Sequence, residues 1–485
     1  MWKSALLQKP WANRIGAAAL AVALASAAGT APVRAEARPS PGAGQLSLSL
    51  EDAGILARRA LLAGDLVLAR QIAETLLRAE PQNRDALMIV AVTSPVLGLA
   101  DSGFKAGKLA FRLSKPGKQR YDAARATARA AYDGGHFLQA QYWLRRAAVH
   151  APTKADAART ARDYRISAAK SPLDLKLRFS IGHSENVNGG SSGTYATVDG
   201  VPIAGYLSGT AQALPGTVGW AQVQAAYTVS ESVRHRTRLD GFVFLRHVWL
   251  SREAKDIAPL AENGDFAAQL VELSLDHMRL VGKVAPGRIG STELSLSGTA
   301  GLQYFGGDLA ERYLRVAVGL ERKLSDRSLG SITLSYEPRR VGRNGQIFET
   351  RTRLEATHSM VVGRGNRLDF RLRGTITDSE RRNNESYAVE ASVGYQLAKP
   401  VGPVRIGAKL GATFARFPDY TFFVFDVPGG RVDRGYFGSV ELTLDGYGYA
   451  GFVPTLSVTA SHTDSNVSRF ARDDLSVQLG LKSSF

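Results

Sequence analysis

An alternation of apolar and polar residues with a period of two runs from about residue 171 to the C-terminus, and it restricts the possible folds more than any other feature. In the last segment Leu475, Val477 and Leu479 fall on one face, while Ser476 and Gln478 fall on the other. Successive side chains of a β-strand point to opposite faces of its sheet. The pattern therefore predicts a series of strands that each have one apolar face.

Fourteen such segments can be placed along the chain. They lie near 173–182, 217–229, 234–249, 266–280, 291–305, 311–322, 330–337, 346–360, 366–376, 385–397, 403–417, 431–444, 450–462 and 469–485. Most are longer than the five or six residues, roughly, of an ordinary globular strand, and long enough for the roughly 9–11 residues that a tilted strand needs to cross a bilayer. An even number of long alternating strands predicts an antiparallel transmembrane β-barrel over 171–485. A soluble all-β fold, which also alternates, is the alternative.

The connections between these segments differ in length according to their order. The odd-numbered ones include the long segments 183–216, 250–265 and 418–430, whereas the even-numbered ones are short. Outer-membrane barrels have long outer loops and short periplasmic turns, so both ends of the barrel are expected on the periplasmic side. The outer loop at 420–425 is unusually apolar. It could plug the lumen or contact a substrate, and we favour the plug.

The polar faces of the strands carry many charges, since a membrane barrel turns its apolar face to lipid and its charged face to the lumen. Candidate lumen-facing cations are Arg351, Arg353, Arg367, Arg371 and Arg373. Aromatic residues near strand ends predict girdles at the two membrane interfaces. These aromatic residues are Trp220, Tyr227, Trp249, Tyr304, Tyr313, Tyr336, Tyr420 and Tyr436.

Residues 51–170 follow a helical period instead. One helical face carries Leu68, Ile72, Leu76 and Ala79. Residues 64–70 align with residues 135–141, an offset of 71 residues, which is close to twice the tetratricopeptide period of about 34. We expect two to four tetratricopeptide-like helical repeats, with a degenerate unit around 105–117. Stacked repeats form a concave surface that binds peptides, and a helical spacer without a ligand is the alternative.

The N-terminus resembles an export signal. Lys3, Lys9 and Arg14 precede a short apolar run at 15–28. This arrangement predicts a signal peptide over 1–35, with a buried N-terminal helix as the alternative. Residues 36–50 contain several Pro and Gly residues and are expected to form a linker. Export would place the helical domain in the periplasm.

Composition narrows the function classes. The net charge is +17, and residues 36–170 carry 21 basic and 12 acidic side chains. A basic exported domain favours lipid headgroups or an acidic protein as its partner rather than nucleic acid. The absence of cysteine excludes a thiol nucleophile, a cysteine-ligated zinc and a disulfide framework. The eight histidines show no spacing typical of a catalytic triad or a metal site. We therefore predict neither enzymatic activity nor a cofactor.

The order of signal peptide, basic helical repeats and fourteen-stranded barrel resembles the surface lipoprotein assembly modifier (Slam) family over nearly the whole mature chain. Asn186-Val187-Asn188-Gly189, directly after the first strand, is similar to the Asn-rich turn of that family. Leu479, Leu481 and Phe485 resemble the C-terminal signal that the barrel-assembly machinery recognises in many barrels.

The resemblance implies a translocation factor in the outer membrane that promotes the surface display or secretion of a specific client. The client would be a lipoprotein or a small secreted protein, captured by the helical domain and assisted across by the barrel. The implied partners are this client, the barrel-assembly machinery and outer-membrane lipid, and no catalytic residues carry over. The alternatives are a polysaccharide-export porin, which usually has a longer repeat array, and an anion-selective diffusion porin.

Overall fold

The structure is a computed structural model that describes residues 49–342, 345–422, 425–449 and 451–483. The predicted signal peptide and nearly all of the predicted linker lie outside the described residues. The chain divides into two compact units, a helical one that ends at Ser171 and a barrel one that begins at Pro172.

Seven helices make up the described part of the helical unit. They are α1 Leu50–Leu62, α2 Leu66–Ala79, α3 Arg84–Val96, α4 Ala100–Leu113, α5 Lys118–Asp133, α6 Phe137–Val149 and α7 Lys154–Lys170. The first helices of successive pairs begin at Leu50, Arg84 and Lys118, so the pairs repeat every 34 residues. The segment that we expected to hold a degenerate unit therefore contains most of a regular helix, α4.

Local sequence explains where these helices begin. The side chains of Ser49, Asp65 and Asn83 accept hydrogen bonds from backbone N–H groups in the first turns of α1, α2 and α3, which satisfies donors that a helix leaves free. Small residues then allow close packing of the helices. A Cβ added at Gly107 of α4 would lie only 2.4 Å from the Thr127 hydroxyl of α5.

The second unit contains a closed barrel. Its strands and their loop hairpins are β1 Leu173–Ser184, β2 Tyr195–Val198, β3 Val201–Tyr206, β4 Gly216–Glu231, β5 His235–Leu250, β6 Ala268–Val281, β7 Thr292–Phe305, β8 Asp308–Ser325, β9 Ser328–Val341, β10 Ile347–Val362, β11 Asn366–Ser379, β12 Ser386–Gln396, β13 Arg405–Phe417, β14 Thr421–Phe422, β15 Phe425–Asp426, β16 Arg431–Thr443, β17 Phe452–Ser465 and β18 Arg472–Ser483.

Fourteen of these strands close the barrel, in which each strand is antiparallel to both neighbours and β1 pairs with β18. The predicted fold class, a helical domain followed by a fourteen-stranded antiparallel barrel, is confirmed. The two remaining pairs, β2–β3 and β14–β15, are hairpins within loops. Among the described residues, no helix is both long and apolar enough to span a membrane.

Strands β8 and β9 extend beyond their predicted bounds of 311–322 and 330–337. The ladder between them is interrupted after Tyr313↔Arg339 and resumes at Val316↔Tyr336. Pro338 lies opposite this gap and has no backbone N–H to donate, so the pairing is lost locally while the strand continues. The predicted strand 330–337 ends directly before this proline, whereas β9 continues through it to Val341.

Candidate functional site

Contacts that cross an intervening strand identify the inner face of the barrel, because only side chains on the concave side converge. The Tyr313 hydroxyl of β8 donates to Glu272 of β6, and its ring lies over Gly301 of the strand between them. The ammonium of Lys482 lies 2.6 Å from a carboxylate oxygen of Glu441, two strands away. Along each strand, every second side chain therefore faces the lumen, and the pairing between strands shows which positions these are. We call these positions the inner parity of a strand and the alternate positions its outer parity.

The opposite parity carries an apolar outer belt. Leu314, Val316, Val318 and Leu320 of β8 are each about half exposed, and Leu479 of β18 is 64% exposed. Such a surface is stable against lipid but not in water. The closed ladder and the apolar belt make this an outer-membrane β-barrel.

Three residues predicted for the aromatic girdles do not belong there. Trp220 is on the inner face and donates from its indole N–H to Gln478, at 2.8 Å. Tyr313 is also on the inner face, and Tyr420 is buried among loop residues. The predictions for Trp220 and Tyr313 were wrong because proximity to a strand end does not fix the face, and that for Tyr420 was wrong because this residue lies in a loop beyond Phe417, where the barrel strand ends. Tyr227, Trp249, Tyr304, Tyr336 and Tyr436 lie on the outer parity.

One part of the inner wall is a network of ion pairs across β6, β8 and β9. Arg315 lies 2.6 Å from Glu337 and 3.2 Å from Glu272. Arg339 pairs with Glu311 and lies 3.6 Å from Glu337. The side chains of Glu337 and Arg339 are only 4% and 3% exposed. Most of this positive charge is therefore compensated within the wall.

The five predicted lumen-facing arginines lie next to this network, on the inner parity of β10 and β11. Arg373 lies 2.7 Å from Glu355, while the ion pair of Arg371 with the same carboxylate is long, at 3.9 Å. Arg367 lies 2.8 Å from Asp369.

Two of the five arginines lack such a partner. Within the described residues, Arg351 and Arg353 form no ion pair within 4 Å, and the Nε atom of Arg353 has no hydrogen-bond partner. On β13, the ammonium of Lys409 lies over the Phe437 ring at 5.0 Å instead of beside a carboxylate. This sector of the wall thus carries positive charge that the wall itself does not neutralise.

Two strands elsewhere in the barrel, β17 and β4, have uncharged inner faces. β17 places Thr455, Ser457 and Thr459 on the inner parity, and β4 places Gln222 and Gln224 there. Between these two strands, β18 and β1 carry Lys482 and Arg178 on the inner parity, so strands with uncharged inner faces alternate with charged ones around the lumen.

Outside the ion-pair network, several charged side chains of the inner wall remain in contact with solvent. The side chains of Arg178 and Arg371 are each 45% exposed, and that of Glu441 is 42% exposed. A barrel of this strand number is wide enough that its wall side chains need not fill it. These side chains are therefore not packed into a barrel core.

The two asparagines of the family-like turn hold the first long loop, 185–215. The Asn186 amide donates to the carbonyls of Gly190 and Asp473. The Asn188 amide donates to the carbonyls of Thr210 and Gln212. These bonds join both ends of the loop and attach it to the start of β18, which is an architectural role.

A mouth cluster joins this loop to two others. It consists of Ala196, Leu207, Ala211, Tyr420, Phe422, Val427 and Val467. The guanidinium of Arg431 lies 3.5 Å from the ring centre of Phe417 and 3.7 Å from that of Phe470, and its side chain is only 10% exposed. The apolar loop predicted as a plug packs through Tyr420 and Phe422 against neighbouring loops, while Phe425 is exposed.

The predicted assembly signal is partly described. Leu479 and Leu481 lie on the outer parity of β18, paired with β17 and β1. Phe485 lies outside the described residues. Among the described residues there is also no group of three or more His, Asp or Glu side chains placed to hold a metal ion.

Comparisons with known proteins give no family. No family model and no curated protein matches the chain. Among solved structures, a BenF-like porin from Pseudomonas fluorescens Pf-5 has a TM-score of 0.35 at 9% identity over 64% of this chain and 99% of its own. OprB from Pseudomonas putida has a TM-score of 0.35 at 10% identity over 66% and 96%. The β domain of the Bordetella autotransporter BrkA has a TM-score of 0.26 at 11% identity over 65% and 100%. The assignment of the fold rests on the strand topology described above.

Proposed function

We propose that the barrel is an aqueous channel of the outer membrane that favours anionic solutes. The observation that carries this proposal is a closed fourteen-stranded wall on which inner charges such as those of Arg178 and Arg371 remain exposed to solvent. A packed barrel core would bury such charges at a high free-energy cost.

The preference for anions follows from the uneven charge of the wall. Arg351, Arg353 and Lys409 lack a carboxylate partner within the described residues, and Arg371 has only a distant one. β17, two strands from β13 in the barrel, has no charged side chain on its inner parity. A channel lined by charge of one sign concentrates the opposite ion, and rings of Arg or Lys are typical of anion-conducting pores.

The proposal is tested with proteoliposome swelling, using solutes of similar size and opposite charge. We expect gluconate to enter faster than protonated glucosamine. The triple variant Arg351→Gln, Arg371→Gln, Lys409→Gln should bring the two rates close together. The matched control is Lys283→Gln, which removes an exposed cation from the turn between β6 and β7 and should leave the ratio of rates unchanged.

Two results would overturn the channel proposal. One is swelling no faster than in protein-free liposomes, which would mean that the mouth or lumen is closed. The other is a higher rate for glucosamine than for gluconate in the unmodified protein.

Passage of a protein client is the second candidate, because a diffusion channel leaves the helical domain without a role. Its support is the resemblance to the Slam family together with the regular 34-residue spacing of three helix pairs. Deletion of the protein should then abolish surface exposure of the client while its periplasmic amount persists. Normal surface display in the deletion strain would refute this candidate without affecting the swelling result.

A further inference from the structure

The helical domain contains a pocket of about 360 Å³ among α4, α5 and α6. Its lining consists of Lys108, Phe111, Arg112, Arg120, Trp143 and Arg146. Four of these six side chains are cationic and none is acidic. All six residues belong to the helical unit, and the pocket has no part in the channel proposal.

The floor of the pocket is aromatic. The rings of Phe111 and Trp143 meet edge to face, with centroids 5.2 Å apart, and both residues are buried. The guanidinium of Arg146 lies 4.7 Å from the centroid of Phe111, and that of Arg120 lies 5.6 Å from it. The rings therefore hold two of the cations in place by cation–π contacts.

In the part of the chain that the structure describes, these cations have no counter-ion of their own. Within the described residues, none of Lys108, Arg112, Arg120 and Arg146 forms an ion pair within 4 Å. Elsewhere the same domain does pair its cations, for example Arg125 with Asp163 and Arg129 with Asp133. The positive charge of the pocket is thus a local feature and not simply the result of a shortage of acidic residues.

A nearby histidine is exposed to this positive charge. His150 packs beside Phe111, with ring centroids 5.9 Å apart. Burial lowers the pKa of the His150 imidazole, and the Arg120 and Arg146 guanidinium groups lower it further.

Both arginines keep donors available for a ligand. Arg120 uses its Nε–H for the Ser114 carbonyl, at 3.2 Å, and Arg146 uses one Nη1 donor for the Tyr142 hydroxyl, at 2.8 Å. A guanidinium carries five N–H donors, so most remain unused. Fixed guanidinium groups with free donors are well suited to carboxylates, which they bind in a bidentate manner.

We propose that this pocket binds an acidic segment of a polypeptide, with one apolar side chain on the Phe111–Trp143 floor and carboxylates at the cationic rim. The volume fits one or two side chains of an extended segment and is too small for a folded surface. A phosphate group would use the rim alone and leave the aromatic floor in contact with water. Carboxylates flanking an apolar residue use both parts of the pocket.

The test uses the full-length protein in an uncharged detergent and a dye-labelled pentapeptide in which phenylalanine lies between two pairs of acidic residues. Fluorescence anisotropy should show saturable binding that weakens as salt is added. A peptide with Asn and Gln in place of the acidic residues should bind at least ten-fold more weakly. A peptide with glycine in place of phenylalanine should also bind more weakly.

The double variant Arg120→Gln, Arg146→Gln should weaken binding of the acidic peptide by about ten-fold or more, since each arginine supplies charge-assisted hydrogen bonds. Arg78→Gln, at an exposed arginine of α2, is the matched control and should bind as the unmodified protein does. Unchanged hydrogen exchange of α4–α6 shows that the double variant is folded.

Three results would overturn the proposal. The first is equal binding of the acidic and amide peptides, and the second is unchanged affinity in the folded double variant. The third is displacement of the peptide by inorganic phosphate or by phosphatidylglycerol vesicles as effectively as by unlabelled peptide at equal ionic strength. That result would assign the pocket to phosphate-bearing ligands.

Discussion

Arginine is used differently in the two units of the molecule. In the barrel wall, Arg315 and Arg339 are held by the carboxylates of Glu337 and Glu311 on the adjacent strand. In the helical pocket, Arg120 and Arg146 lie against aromatic rings and have no carboxylate partner among the described residues. The first arrangement uses most of its charge to stabilise the wall, whereas the second leaves its charge available to a ligand. Total charge alone, at +17, would not separate these roles.

The largest effect is expected where a buried carboxylate holds two arginines. Glu337→Gln should destabilise the barrel by about 3 kcal/mol, because it leaves Arg315 and Arg339 with fewer partners in a poorly solvated position. The measurement is the urea midpoint of unfolding in detergent. Glu390→Gln is the control, since this carboxylate is 26% exposed and 3.5 Å from Arg373, and should cost less than about 1 kcal/mol. Equal losses of stability in Glu337→Gln and Glu390→Gln would contradict the distinction between a buried carboxylate that holds two arginines and a partly exposed one.

A smaller effect is expected at the mouth, where Arg431 combines both arrangements. It contacts the Phe417 and Phe470 rings and also lies 3.2 Å from Asp433. Arg431→Gln should lose roughly 2 kcal/mol of stabilisation from the desolvated cation–π contacts. The loop at 418–430 should then be cleaved faster by protease added to proteoliposomes. Arg434→Gln, on the outer parity of the same strand, should leave cleavage unchanged. Equal rates of cleavage in the two variants would show that Arg431 does not stabilise the loops at the mouth.

The unpaired cations of the helical pocket should contribute little to stability. Arg146→Gln loses cation–π contacts of about 1 kcal/mol or less and also relieves repulsion from nearby cations. Arg125→Gln provides the contrast, because it removes the ion pair of Arg125 with the carboxylate of Asp163, which is only 3% exposed, at a cost of about 3 kcal/mol. Hydrogen exchange of helical-domain peptides in the full-length protein measures both. A larger loss for Arg146→Gln would mean that the pocket arginines are structural.

The smallest effect is a pH dependence of the helical domain through His150. Its pKa is lowered in the folded protein, so the unfolded chain binds more protons. Stability should therefore fall as the pH drops through the ordinary histidine pKa of about 6.5 and level off below the folded value. Protection of helical-domain amides, compared between about pH 7.5 and 5.5, should decrease less in His150→Gln. A larger decrease of protection in His150→Gln than in the unmodified protein would contradict the predicted direction of the pH dependence.

The strands could be predicted from sequence because their signal is local and repeated. Alternation over a dozen residues identifies each strand without knowledge of its neighbours. The alternation of polar and apolar positions also shows the correct face for two aromatic residues that we assigned to the girdles. Trp220 shares its parity with Gln222 and Gln224, and Tyr313 shares its parity with Arg315. Reading the aromatic residues by parity would have placed both in the lumen.

The ion-pair network and the pocket could not be predicted in the same way. Arg315 reaches Glu272 across an intervening strand, 43 positions away in the chain, and that contact depends on the register of three strands. The pocket similarly combines residues from α4, α5 and α6, whose relative rotation depends on small contacts such as Gly107 against Thr127. The spacing of residues along the sequence determines neither the register of the strands nor the relative rotation of the helices.

The most direct test of the channel is the reversal potential of the full-length protein in a planar bilayer under a ten-fold potassium chloride gradient. We predict stable single-channel conductance and a reversal potential displaced toward the chloride equilibrium potential. The displacement should shrink in the triple variant of Arg351, Arg371 and Lys409. Absence of any conductance, or a reversal potential displaced toward the potassium value, would contradict an aqueous lumen that favours anions.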